Sequence, residues 1–81
     1  IDSMGWALFK LGKTEQALDY LKQAFEIMPD PEIAAHLGEV HWVLDNRQAA
    51  STVWQQGLQS APGHKGIINT MLRLRPEMIE Q

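Results

Sequence analysis

Sliding the chain 33 positions along itself takes Gly5 to Gly38, Ala17 to Ala50, Leu21 to Trp54, Ala24 to Gly57 and Pro29 to Pro62. Met4 lands on Leu37 and Phe25 on Leu58. Small residues fall on small ones, large on large, and proline on proline. A period in this range marks a supersecondary unit that buries its apolar face by stacking on its neighbour, and so a solenoid.

The repeated unit is helical. Between the breakers Gly12, Pro29, Pro31, Pro62, Gly63 and Pro76, apolar residues recur at three- and four-residue spacing, the pattern of amphipathic helices. Met4, Ala7, Leu8 and Leu11 form one stripe, and Ala17, Leu18, Leu21, Ala24, Phe25 and Met28 a second. Ile33, Leu37, Val40, His41 and Leu44 form a third. Ala50, Val53, Trp54, Gly57, Leu58 and Ala61 form a fourth, and Ile67, Ile68, Met71, Leu72 and Leu74 a shorter fifth. No stretch alternates with period two, so no sheet is expected. Asp30 is a good N-cap with Pro31 at the first helical position, and Asn46 is expected to cap the fourth helix in the same way. Gly12 and Gly63 stand where a helix C-terminus calls for a left-handed residue. Pro76 is expected to end the fifth helix and leave a fraying tail.

These residues resemble the tetratricopeptide repeat. Leu37–Gly38, Ala50, Trp54, Gly57 and Pro62 fill its pattern in the second unit, and Met4–Gly5, Ala17, Leu21, Ala24 and Pro29 in the first. The departures are Ile1 and Ala34 where tryptophan is often seen, His41 where tyrosine or leucine is usual, and Asp45 where glycine is frequent. The resemblance implies an all-α fold of about five helices, antiparallel helix-turn-helix repeats stacked as a short right-handed superhelix. It implies a first repeat over 1–30 with its start missing, a second over 31–64, a capping helix over 65–75 and a tail over 76–81. Leu8 and His41 then join the structural positions just named. The stretch PDPEIAAHLGEV and the spacing of Trp42 from Trp54 also look like the C-terminal repeats of large proteobacterial repeat proteins, some of them lipoproteins facing the periplasm. Two repeats are fewer than the roughly three such arrays need for stability, so further repeats are expected before Ile1.

Ten acidic against seven basic residues leave a net charge of −3 with neither sign in a block, which argues against a nucleic-acid partner. No apolar run reaches the roughly 20 residues that span a bilayer, so this stretch is not expected to insert into a membrane. The absence of cysteine excludes disulfides and thiolate sites and does not choose between cytoplasm and periplasm.

The segment HLGEVHWVL brings His36, Glu39 and His41 close in sequence. Metalloprotease helices space two histidines four residues apart, whereas here the gap is five. At 3.6 residues per turn the two side chains point about 140° apart, so neither a metal nor a cofactor is expected. His41 is instead expected as a partly buried histidine hydrogen-bonded to a neighbour. His36 falls on the opposite side, and a solvated residue and a ligand contact are both open for it.

The family holds peptides or protein surfaces mostly in the concave groove lined by the first helix of each pair. The matching positions are Asp2, Ser3, Trp6, Phe9 and Lys10 in the first repeat. The second contributes Glu32, Ala35, His36, Glu39, Trp42 and Val43, and the last helix Asn69, Thr70 and Arg73. Some members clamp a C-terminal carboxylate with lysines, arginine and asparagines. Here Ser3, Trp6, His36 and Glu39 stand at those positions, so the clamp is absent and the groove is aromatic and mildly acidic. Trp6, Phe9 and Trp42 are its candidate anchors, unless they pack on one another; Trp54 is expected in the core.

Three functions compete. A protein-interaction module would use these aromatics. A purely structural end of a longer solenoid would not, and its first helix pair would present Met4, Ala7 and Leu8 for self-association. An enzyme is the weakest reading, since Ser3, Ser51 and Ser60 lack a glycine-flanked elbow and no glycine-rich loop joins a strand to a helix.

Overall fold

The computed structural model describes residues 2–74 and, among side chains, those of residues 4–74. The expectations for the side chains of Asp2 and Ser3, for Pro76 and for the tail over 76–81 lie outside the described residues. Five helices follow in order: α1 (Asp2–Lys10), α2 (Thr14–Ile27), α3 (Pro31–Val43), α4 (Arg47–Ser60) and α5 (Lys65–Arg73). No strand occurs among the described residues.

The helix ends repeat as the sequence does. Gly12 has φ +85° and Asp45, 33 positions on, φ 66°. In both turns the residue after the left-handed one donates its N–H five residues back, Lys13 to the Leu8 carbonyl (2.9 Å) and Asn46 to the His41 carbonyl (2.8 Å). Gly12 and Asp45 themselves donate three residues back, to Phe9 and Trp42 (3.0 Å each), which completes a Schellman motif in each case. Gly63 is not left-handed, contrary to the sequence expectation. Helices α2 and α4 instead end on Met28 (φ −141°) and Ala61 (φ −143°). Each precedes a proline, whose ring disfavours helical backbone in the residue before it.

Asp30 caps α3 as expected: its backbone is extended and its Oδ1 accepts the Glu32 N–H at 2.7 Å, with Pro31 entering the helix. Asn46 occupies the N-cap of α4 but makes no side-chain capping bond. His64 does cap α5, its Nδ1 accepting the Ile67 N–H at 3.3 Å.

Helix α3 packs against α1, α2, α4 and α5. That is why it is buried nearly all round, over Ile33–Ala35 and Leu37–Trp42. A helix lined with apolar and small residues on every side belongs in an interior. Trp54 and Leu21 are fully buried, each seated on the glycine of its own pair. A Cβ at Gly38 would run into the Trp54 indole, and one at Gly5 would lie 2.7 Å from the Leu21 side chain. Gly57 serves the junction with α5: a Cβ there would come within 2.6 Å of Ile67 Cδ1 and 2.9 Å of Ala34 Cβ.

Two outcomes follow for urea unfolding. Gly38→Ala lowers stability by about 1–3 kcal/mol, the usual effect of forcing volume into a filled core. Asp45→Gly raises it by about 1 kcal/mol, because a left-handed residue with a Cβ is disfavoured by roughly 1–2 kcal/mol and the pair of Asp45 with Arg47 (3.4 Å) is solvent-exposed on the Asp45 side.

Candidate partner-binding groove

The groove positions expected from the sequence lie on α1, α3 and α5, and they separate into two groups. Trp6, Phe9 and Lys10 of α1 come together with His36. The Trp6 and His36 rings stack at 4.0 Å between centroids and 14° between planes, joining α1 to α3. Phe9 lies against Trp6 at 5.0 Å and 30°, and the Lys10 ammonium sits 5.2 Å from the centre of the Trp6 ring. Trp6, Phe9 and His36 are all half-buried, so they form a shelf with area left to solvent. Val43, Asn69 and Glu32 are exposed, and Glu32 reaches to 3.8 Å from His64 Nε2.

The second group is withdrawn from the surface. Trp42, expected to face the groove, is only 5 % exposed. Its ring packs 5.8 Å from that of Trp54, and the Arg47 guanidinium lies over it at 4.4 Å. The helix turns it toward α4 rather than into the concavity, where it adds to the core under a cationic cover. Ala35 is buried, and its carbonyl accepts the Trp54 indole N–H at a long 3.5 Å. Thr70 is buried too, its hydroxyl donating to the Gly66 carbonyl at 2.8 Å.

Glu39 is buried at 8 % exposure and held by Arg73 through two parallel hydrogen bonds of 3.0 and 2.7 Å. This fork geometry is the strong form of a carboxylate–guanidinium pair. The bond to Glu39 raises the Arg73 guanidinium further above its ordinary value, with burial working slightly against it. Arg73 therefore cancels the acidic character that Glu39 would lend the groove. The two residues stand 34 apart, one more than the repeat offset, so that offset alone does not signal the pairing. Arg47 over Trp42 and His64 as a cap have no sequence signal either.

His41 points away from the shelf. It is 9 % exposed, and its Nδ1 finds no hydrogen-bond partner among the described residues, where the sequence reading expects one. Burial lowers its pKa from the ordinary value, and the nearby Lys22 charge lowers it further. Among the described residues no group of three or more histidine, cysteine, aspartate or glutamate side chains is placed to hold a metal ion. No described helix is long and apolar enough to cross a membrane.

A sequence model of the tetratricopeptide repeat matches residues 2–31. A TPR repeat-containing protein of Pseudomonas aeruginosa is 54 % identical over 39 residues, covering 48 % of this chain. Residues 2–31 are thus similar to a tetratricopeptide repeat, and the relative supports that assignment. The stretch matched spans 7 % of that relative's length, and no solved structure matches the chain significantly. Tetratricopeptide repeats generally mediate protein–protein interaction and form a non-catalytic scaffold family.

In this repeat array the Glu39–Arg73 pair ties the last helix to the centre. Breaking a buried pair from one side costs about 3–5 kcal/mol, but the Arg73 side chain is 56 % exposed and water screens much of that. Arg73→Ala is accordingly expected to lower stability by about 1–2 kcal/mol. Replacing both partners, Glu39→Leu with Arg73→Leu, recovers most of the loss in the same denaturation measurement, since no charge is then left buried.

Proposed function

We propose that this chain is a protein-interaction module that holds an extended segment or helix of another protein on the shelf of Trp6, His36 and Phe9. The observation that carries this reading is the Trp6–His36 stack, which bridges two repeats and leaves aromatic faces half-open in the concavity. Large aromatics dominate binding energy at protein interfaces when a partner buries them, at about 2 kcal/mol or more each. Lys10 flanks the shelf and supplies a donor for backbone carbonyls or carboxylates of the partner. No substrate is turned over: binding is the activity, and the partner is a protein or peptide rather than nucleic acid.

A second reading, self-association through the α1 edge, is favoured by one observation. Met4 on α1 is 56 % and Leu11, just past the end of that helix, 72 % exposed. Two such edges could pair symmetrically about a two-fold axis.

In a pull-down, Trp6→Ala with His36→Ala is expected to lose the partner while the helical circular-dichroism signal stays at the wild-type level. Retention of the partner by that double variant sinks the groove reading. Trp42→Ala is expected to behave differently and lose about 3–5 kcal/mol of stability, as a core aromatic does, with binding falling only because the fold does. Sedimentation of the wild type separates the second reading: a dimer dissociated by Met4→Glu supports it, and a strict monomer removes it.

A further inference from the structure

We propose that His41 makes the junction between the two repeats acid-sensitive, so that protonating its imidazole loosens the α1–α2 pair from α3. The case begins with position. His41 lies on the helix that every other element packs against, in a slot where the sequence pattern calls for tyrosine or leucine. It is nine-tenths buried, and its Nδ1 is without a hydrogen-bond partner among the described residues. A neutral imidazole tolerates this with one nitrogen as a bare acceptor. A protonated one must place a second N–H, and a full charge, where nothing receives either.

The surrounding charges give no relief. Lys22 of α2 is the charged group that acts on His41, and it repels the protonated form. Of the remaining cations on packed elements, Lys10 of α1 lies over Trp6, Arg47 of α4 over Trp42 and Arg73 of α5 on Glu39, while Lys65 is exposed at the first position of α5. Glu39, two residues before His41 on the same helix, points to the other side of it, and Arg73 holds both its oxygens.

The direction follows from proton linkage. The folded-state pKa of His41 lies below the ordinary value of 6.5, so near and below that pH the unfolded chain binds more protons than the folded one. Stability from this residue is complete above 6.5 and declines as the pH falls from there toward the lowered folded-state value. Because His36 rides on the same helix as His41, loosening α3 from α1 also parts His36 from Trp6. Release of a partner on acidification rests on the groove reading above; the acid loss at the junction does not.

The test is urea unfolding of the whole chain at about pH 7.5 and about pH 5.5, on either side of the ordinary histidine range. The wild-type midpoint is expected to fall on acidification, and His41→Leu to remove most of that fall. Lys22→Gln, at an exposed site, is expected to remove a smaller part, and it decides the matter if His41→Leu does not fold. His64→Asn, which retains a capping acceptor, controls for the histidine whose Nδ1 serves as a cap, and most of the fall should persist in it. Amide exchange at the lower pH should show α1 and α2 losing protection before α4. An undiminished fall in His41→Leu, or a fall abolished by His64→Asn, overturns the proposal, as does protection lost uniformly along the chain.

Discussion

The contact between Gly38 and Trp54 holds the arrangement together. An indole ring laid directly on the backbone of α3 brings α4 closer than any side chain at position 38 would permit. That approach buries Trp54 completely and lets Trp42 pack against its edge. It also leaves α3 with three further sides on which α1, α2 and α5 can lie. The first repeat uses the same device with Leu21 on Gly5. Interiors are packed as densely as organic crystals, so a single missing Cβ here sets the spacing of a whole helix pair.

From this central position α3 governs both faces. Toward the concavity it presents His36 to Trp6 and withdraws Glu39 into a forked pair with Arg73. Away from the concavity it carries His41, whose bare nitrogen is tolerated only while the ring is neutral. The positions expected to line a groove are therefore less acidic than their residue list implies, because the buried carboxylate among them is already matched. What stays open is an aromatic shelf with a lysine beside it.

Much of the fold was legible because it rests on local chemistry repeated at a fixed interval. Proline at 29 and 62 stops a helix by acting on the residue before it, and Asp30 caps α3 with its own carboxylate. Asp45 was visible as a departure from glycine, and it does take the left-handed backbone that the position requires. Gly63 and Asn46 misled for the complementary reason. A residue type suited to a cap is not used when a neighbouring proline has already ended the helix, or when the side chain turns elsewhere. Groove positions were harder to read, since helical spacing tells which face a residue shares but not how deep that face lies.

The sequence by itself determined the helices, their pairing and the two-fold recurrence of small-on-large contacts, because each depends on residues a few positions apart or on one constant offset. Tertiary structure alone decided which concave residues meet solvent. Phe9 and Trp42 stand at the same place in successive repeats, 33 residues apart, yet Phe9 lies half-open against Trp6 and Trp42 is closed under Arg47 beside Trp54. Burial depends on what the neighbouring helices bring, and α3 has a helix on every side. That sum of distant contacts is not written in the periodicity of any one helix.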